Sequence, residues 1–529
     1  MLIKDSHKSS NEFFILLFIK LIGFIFLFAF IDSCFQYKTL IGENGCAPIA
    51  SFLQETKKQF GSAAIWKFPS LFWLSSSDNF ILTVFLIGIL ASISVIASRF
   101  TGLSLFLSLL CWLSVINTGS DFFLYIWDTL LIEAGFIAFL VSYIYKNEKY
   151  IRLVNITLWL LAFRLWFSMG IVTVLHNNTV PLNGQFIAYF FQNQPMPSKL
   201  AFFAYHFHPF AHTLIGLFLL MVEVIVPFAI LHAKTRGIAF YIFVFFSILI
   251  FLVGNYAWFN LLSIILAIPL LIQTKQGEYI YHKTKRLKLT GLRLAFNSAS
   301  RVIIPIIYTQ IILQSLLLIF ICFPLGNRYL NFLNYYSDSP NFLAWENKNY
   351  FTKILSVPIH LGTNLKIANP YGVFKGIPVK RWEIAFEVCN DTVKGPFKKV
   401  PYQYKPGFNS GSSFFAPHHP RLEQQLFYEA QQGNFSANYT PYQNKLNTVC
   451  WTQNYLKRLF DSDKAENGSY TYVKINVIEL RYNTTSDYAI TGLLWQKRNV
   501  FSYYVNEKSV NCALIKSDNF LKYNKHSEK

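Results

Sequence analysis

Charge is scarce in this chain. Asp, Glu, Lys and Arg together make up 14% of its 529 residues, against about 25% in ordinary soluble domains. So few charges cannot cover the surface of a water-soluble fold of this length. Acid is scarcer still: 27 Asp and Glu stand against 47 Lys and Arg, for a net charge of +20. A surplus of that size invites a nucleic-acid reading. No RNA- or DNA-binding motif accompanies it, and the basic residues lie in short loops beside apolar runs, which is a membrane-topology pattern. Cysteine is sparse too. Seven Cys are too few for a disulfide scaffold, and their spacings match no zinc set and no CxxC redox pair. Internal repeats are missing, and with them the paired inverted repeats of a transporter.

What fills the chain is apolar. Hydrophobic residues make up 53% of it, Phe alone contributes 54, and the mean hydropathy is +0.34. An aqueous fold is excluded, and a polytopic helical membrane bundle is expected. A bilayer-spanning helix needs about 17–25 apolar residues. The segments that qualify are Phe13–Ile31, Phe80–Ala97, Gly102–Thr118, Phe122–Tyr145, Ile151–Leu175, His208–Leu231, Ile238–Val253, Tyr256–Ile272 and Val302–Phe323. Short members and tight turns leave the count at seven to nine. The first segment is longer than a signal-peptide core and lacks a small-residue cleavage site, so it reads as a retained signal anchor.

Basic residues orient the bundle. With a cytoplasmic N-terminus the inner loops hold Lys4, Lys8, Arg99, Lys146, Lys149, Arg152, Lys234 and Arg236. They also hold the run from Lys275 through Lys283, Lys285, Arg286, Lys288 and Arg293 to Arg301. The outer loops hold only Lys38, Lys57, Lys58, Lys67 and Lys199. This asymmetry is what the positive-inside rule requires. An odd number of spans then places the C-terminal part outside the cytoplasm. The expected division is a multi-pass domain over 1–324 and an extracytoplasmic, β-rich domain over 325–529. In the second region, Arg381–Val388, Lys398–Tyr404, Tyr470–Leu480 and Val500–Val505 alternate like half-buried strands. Arg421–Gln432 and Val449–Phe460 read as short amphipathic helices.

The polar residues inside the spans are the first functional candidates. Trp127-Asp128-Thr-Leu-Leu-Ile-Glu133-Ala-Gly135-Phe136 sets two carboxylates in an apolar run. Ionisable groups at that depth usually have a partner. Lys20, Arg164 and Glu223 lie in other spans, so an intramembrane network of Lys20, Asp128, Glu133, Arg164 and Glu223 is expected, with Arg164 pairing with Glu133 or Glu223. Lys20 can instead snorkel to the cytoplasmic side. At 100° per residue Asp128 and Glu133 are about 140° apart and face different neighbours. Such charges serve either a polar pocket or a structural ion-pair network, and no catalytic set accompanies them. Asn255 and Asn260 flank a membrane hairpin, where their amides can satisfy backbone groups that lipid cannot. His208 and His212 share a helix face near His206, but no acid or Cys stands at metal-ligand spacing. Neither cofactor nor metal is expected. Cys34, Cys46, Cys322, Cys389, Cys450 and Cys512 fall on or near the outer side, where a Cys450–Cys512 disulfide is one option. Asn390, Asn434, Asn438, Asn467 and Asn483 head glycosylation sequons, relevant only in a eukaryotic host.

Beyond the Asp128–Glu133 string, several others occur in order: Leu40-Ile-Gly42-Glu-Asn-Gly45-Cys-Ala-Pro48, Pro69-Ser-Leu-Phe-Trp73, Phe163-Arg164-Leu-Trp-Phe, Gln194-Pro195-Met-Pro197, Glu223-Val-Ile-Val-Pro227-Phe228, Gly254-Asn255-Tyr256-Ala-Trp-Phe259-Asn260, Asn369-Pro-Tyr371-Gly372, Tyr404-Lys-Pro406-Gly407 and Phe415-Ala-Pro417-His418-His-Pro420-Arg421. Together they resemble the lipase maturation factor family. The family's Lys and Trp after the Phe-Arg motif are absent here, which marks a divergent member. The resemblance implies a non-enzymatic factor of the endoplasmic reticulum membrane that assists folding or assembly of secreted proteins such as lipases. Its partners would be the lipid bilayer and partly folded, lipase-like clients, with no nucleic acid. A bacterial chain would sit in the inner membrane instead. The outline also looks like that of the vitamin K-dependent carboxylase, a membrane enzyme, with far poorer motif agreement. Phe414, Phe415, Pro417, His418, Pro420 and Arg421 form a rigid loop suited to client contact or to an interdomain joint, and Tyr402 and Tyr404 are further contact candidates.

Overall fold

The computed structural model describes residues 2–145, 150–176, 184–284, 300–321, 362, 364–372, 377–389, 396–406, 416–432, 451–461, 470 and 472–506. Long apolar runs become long helices because in lipid only intrahelical bonds satisfy the backbone. The bundle is built from α1 (Leu2–Cys34), α5 (Asp78–Ile96), α6 (Thr101–Thr118), α7 (Ile126–Ile144), α8 (Ile151–His176), α11 (Pro209–Leu220), α12 (Ala233–Val253), α13 (Phe259–Ala267), α14 (Lys275–Thr284) and α15 (Ser300–Ile321). Shorter helices α2 (Tyr37–Leu40), α3 (Ile49–Phe60), α4 (Ala64–Lys67), α9 (Gly184–Asn193) and α10 (Lys199–Tyr205) fill the connections. Among the described residues, seven helices are long and apolar enough to cross a membrane, and eight if one sharply bent pair counts as a span. Ile307–Ile319 within α15 is a further, shorter apolar stretch. The protein is an integral membrane protein.

Two of the expected spans are not single straight helices. His208–Leu231 is α11 followed by a π-turn over Met221–Ile225 and a 3₁₀ turn over Val226–Leu231. Pro227 is the reason: it has no N–H to donate and crowds the preceding turn. Tyr256–Ile272 is likewise the short α13, a 3₁₀ turn containing Pro269, and then α14, bent away by 104°. Arg236, nearly fully buried, ties both breaks. Its Nε donates to Ile230 O at 3.0 Å, its Nη1 donates to Ile272 O at 3.2 Å, and its guanidinium lies 3.4 Å from the Trp159 ring centre. Counting it as a loop charge missed this role.

The C-terminal part carries strands β1 (Arg381–Cys389), β2 (Lys398–Lys399), β3 (Tyr472–Tyr482) and β4 (Trp495–Asn506), with helices α16 (Arg421–Gln432), α17 (Trp451–Asp461) and α18 (Thr485–Thr491). The sheet is antiparallel, in the order β2-β1-β3-β4. Val473, Ile475, Val477, Ile478 and Leu480 bury β3 at its centre. The expected strand over Lys398–Tyr404 shrinks to two residues. The Tyr402 hydroxyl instead donates to Ile384 O at 2.7 Å, which turns that side chain inward. Helix α16 lies across β1, where Gln431 Nε2 donates to Trp382 O at 2.6 Å. That position wedges α16 between sheet and bundle.

Candidate functional site: a buried seam between bundle and sheet

The residues that close the bundle against the C-terminal part come from both ends of the chain. Arg421 is the first residue of α16 and has no exposed surface. Its two terminal nitrogens donate to the two oxygens of Asp128 at 2.8 and 2.9 Å, and Nη1 also reaches Phe122 O at 2.6 Å. This is the bidentate fork that suits guanidinium and carboxylate best. The guanidinium carbon stands 4.1 Å from the Phe123 ring centre and 5.4 Å from that of Trp258. An aromatic box therefore surrounds an ion pair that lipid could not solvate.

The loop before Arg421 is pinned residue by residue. His418 Nδ1 pairs with Asp32 at the end of α1, and His419 N–H donates to the same carboxylate at 3.2 Å. Asn255 Nδ2 donates to His418 O at 2.8 Å. Gln36 Nε2 donates to His419 O at 2.9 Å, and Gln36 Oε1 accepts from Arg421 N–H at 3.2 Å. The His419 ring is edge-on to Tyr125 and Trp127, 4.7 and 5.0 Å between centres, and Trp127 Nε1 donates to its Nδ1 at 3.3 Å. Burial pushes the His419 pKa well below the ordinary histidine value, with the charges of Arg421 and His418 adding to the effect. The ring is therefore neutral at pH 7.

A second knot lies deeper, on the other face of α7. Glu133 pairs with Arg164, both fully buried. Arg164 Nη1 donates to Ser315 Oγ at 2.8 Å. The other oxygen of Glu133 accepts the Asn369 N–H at 3.2 Å and the Tyr371 hydroxyl. Burial, then the charge of Glu133, pushes the Tyr371 phenol well up. Gly372 fits here because a Cβ would stand 2.8 Å from Val172 Cγ1.

A third clamp uses β1. Arg381 Nη1 and Nη2 donate to the backbone oxygens of Gln192, Gln194 and Pro195, and Nη2 also bonds Glu383 at 2.6 Å. Lys405 closes on the other oxygen of Glu383, while burial holds the Lys405 pKa below its ordinary value. The Arg381 carbonyl partners belong to the turn that meets Gly254 through a bridge between Pro197 and Gly254. A Cβ at Gly254 would sit 1.8 Å from Gln194 Oε1, so any larger residue there must push the Gln194 side chain aside.

The single intramembrane network expected from Lys20, Asp128, Glu133, Arg164 and Glu223 is corrected. Asp128 answers Arg421, while Glu133 answers Arg164. The two acids differ in partner because they point to different faces of α7. Lys20 stands apart, its Nζ donating to Ile96 O at 3.0 Å, one of the carbonyls that a helix end leaves unsatisfied. Glu223 is buried and, among the described residues, pairs with no base. Asn255 Oδ1 accepts Ala257 N–H at 2.9 Å in the hairpin, whereas Asn260 Nδ2 is buried with no hydrogen-bond partner among the described residues. Of the loop, Pro417, His418, Pro420 and Arg421 lie in the seam. Phe414 and Phe415 lie outside the described residues. Tyr402 is buried, so it is no exposed contact. Sequence reading missed Asp32, Gln36, Arg381 and Glu383. Their only signal was polarity at a helix end or a strand start.

His206 Nδ1 bonds Phe202 O at 2.8 Å, His208 caps α11, and His212 Nε2 bonds Ala204 O at 2.9 Å, all on local backbone. Among the described residues no group of three His, Cys, Asp or Glu could hold a metal. Among the described residues Cys34, Cys46 and Cys111 form no disulfide. Cys322, Cys450 and Cys512 lie outside the described residues, as do Asn390, Asn434, Asn438 and Asn467.

Fold and seam together define a multi-pass membrane protein whose C-terminal sheet is locked to its bundle by buried ion pairs. A family model described as the lipase maturation factor transmembrane domain matches residues 15–277, and one described as the lipase maturation factor C-terminal domain matches residues 367–505. The chain belongs to the lipase maturation factor family. Lipase maturation factor 2 of Rattus norvegicus is 29% identical over 280 residues, covering 48% of this chain and 39% of that protein. Lipase maturation factor 1 of Mus musculus is 24% identical over 441 residues, covering 78% of this chain and 73% of that protein. The match thus spans well under half of the first relative's length. No solved structure matches the chain.

Proposed function

We propose that this protein is a membrane-anchored maturation factor that assists the folding or assembly of secreted lipases, with its C-terminal domain outside the cytoplasm. The observation that carries this reading is the seam. It fixes the sheet to one end of the bundle, the end that basic-loop asymmetry puts outside. A rigid platform there loses little ordering entropy when a partly folded client docks. Pro417 to Arg421 serve as the joint of that platform. Client contact falls to apolar side chains left bare on the same side. Phe35, Trp66 and Leu74 are 86%, 80% and 78% exposed. Their loop is tied to α17 by Asn454 Nδ2 donating to Cys46 O at 2.9 Å and Arg458 Nη1 donating to Asn44 O at 2.7 Å. Large aromatic residues are common interface anchors.

The test is complementation. Cells that lack their own lipase maturation factor and express a secreted lipase should recover lipase activity in the medium when this chain is supplied. Trp66→Ser with Phe35→Ser should lower the recovery while the protein remains folded in the membrane. Unchanged lipase activity with the intact chain present at normal level would overturn the function. For topology, a reporter active only in the cytoplasm, fused after Lys529, should stay silent.

A further inference from the structure

The corner between α13 and α14 is held by specific bonds. Residues 254–272 return along α12, since Arg236 near the start of α12 donates to Ile272 O at 3.2 Å. The chain then bends by 104° into α14. Gln273 makes the turn at φ +59°, and Thr274 caps the new helix, its Oγ1 accepting Gly277 N–H at 3.0 Å. A helix turned so far from a path along the spans lies along the membrane plane. Its level is fixed too. Tyr281 meets Phe13 of α1 edge-on, 5.6 Å between ring centres. A Cβ on Gly277 would stand 3.2 Å from Phe14 Cε2, and Gln276 lies against Gly237. Phe13, Phe14 and Gly237 belong to the first turns of two membrane spans, so α14 sits at the boundary of the apolar layer.

The two faces of α14 differ. Gly277 is buried, and Ile280 and Tyr281 pack against the core on the same side. Lys275, Tyr279, His282 and Lys283 share the other side and are exposed, Tyr279 by 69%. A tyrosine flanked by lysines at a span boundary is a usual interfacial anchor, its ring among the head groups and the ammonium groups reaching outward. Lys285, Arg286 and Lys288 follow directly, and Glu278 is the sole acid over 275–301. Sequence alone gives the charge of 285–299, which lie outside the described residues. This surplus matches an acidic membrane surface, because basic residues beside a bilayer attract anionic lipids. Zwitterionic lipid has no net charge to answer it. A free phosphate would call for buried donors, whereas Lys275 and Lys283 both stand in the open.

We infer that α14 lies in the head-group layer as a docking face for anionic phospholipids, with Tyr279 seated among the head groups and Lys275 and Lys283 on their phosphates.

The test uses the full chain in lipid nanodiscs and two photoreactive phospholipids that carry the same diazirine near the glycerol. One has a phosphatidylglycerol head and the other a phosphatidylcholine head. At equal mole fraction, the acidic probe should label peptides containing Tyr279 several times more strongly than the zwitterionic one. Peptides from α5, whose Leu86, Leu90 and Ile93 are exposed to lipid, should take both probes alike and so control for dose. Added sodium chloride should shrink the preference at Tyr279. Lys275→Gln with Lys283→Gln should lower it about fivefold, as losing about 1 kcal/mol of surface attraction predicts. Both side chains are exposed, and comparing the two probes on the unaltered protein needs no variant. Three results would each overturn the inference. The first is equal labelling by both probes at Tyr279. The second is labelling of α5 with none at α14. The third is suppression by inorganic phosphate beyond that of sodium chloride at the same ionic strength, which would make the ligand a free anion.

Discussion

Arg421 and Asp128 stand 293 residues apart in sequence and meet through two parallel hydrogen bonds in a box of aromatic rings. One is the first residue of a helix in the C-terminal part, and the other lies in the first turn of a membrane span. Neither has exposed surface. Removing one partner of such a pair leaves the other charged and unsolvated, at a cost of about 3–5 kcal/mol. Arg421→Met should therefore loosen the C-terminal part from the bundle, read as a lower unfolding temperature in detergent and faster proteolytic release of the sheet. Arg421→Lys should rescue poorly, since an ammonium cannot reproduce the fork. Adding Asp128→Leu to Arg421→Met should restore part of the loss. Full stability in Arg421→Lys would show that charge alone suffices.

The deeper pair gives an independent test. Arg164→Leu strands Glu133, which still has Asn369 and Tyr371 as donors but no cation. The folded, monodisperse fraction on size-exclusion chromatography should fall, again by about 3–5 kcal/mol in stability. Glu133→Gln in the same chain should bring part of it back. If the double variant behaves no better than Arg164→Leu, the two residues are not energetically coupled.

His419 predicts an acid-sensitive seam. Its folded pKa is depressed and its unfolded value is near 6.5. Below about pH 6.5 the unfolded chain binds a proton that the folded seam refuses. Stability is therefore full above that pH and declines as pH falls toward the folded value. His419→Asn should flatten the curve between about pH 6.5 and 5. Unfolding temperature measured across that range, for both proteins, decides it.

Gly170 is where α8 approaches the π-turn. A side chain there meets Glu223 Cβ at 2.8 Å and the Glu223 carbonyl carbon at 2.9 Å. Gly170→Val should cost about 1–3 kcal/mol through overpacking. The same change at Gly61, where nothing lies within 4 Å but φ is +56°, should cost something through backbone strain and nothing through packing. A Gly170→Val protein as stable as the parent would mean that the helices part without cost.

Much of this architecture was legible because its rules are local. Hydropathy marks α5, α6 and α8 within a residue or two. Alternation marks β1 and β3. Amphipathic spacing marks α16 exactly at Arg421–Gln432 and α17 within two residues. The breaks near Pro227 and Pro269 were less legible, since hydropathy counts apolar residues and ignores a missing N–H. The seam was legible in part. Asp128, Glu133, Arg164 and Arg421 each stand out as charges needing a partner. Which acid meets which base depends on helix rotation and on how a distant domain docks, and no local pattern encodes that. Tyr402 shows the converse: a tyrosine in a polar stretch reads as surface until its hydroxyl finds a buried carbonyl.

The separation between Asp128 and Arg421 also orders events during synthesis. Ribosomes add about 5–20 residues per second, so the span carrying Asp128 is made roughly 15–60 s before its guanidinium partner exists. Through that interval the nascent bundle carries a carboxylate in lipid with no cation from the C-terminal part to meet it. A chain that stops short of residue 421 never resolves this, however well its helices pack. The seam can therefore close only after the chain has been made past residue 421, so docking of the C-terminal part is the last step in satisfying the Asp128 carboxylate.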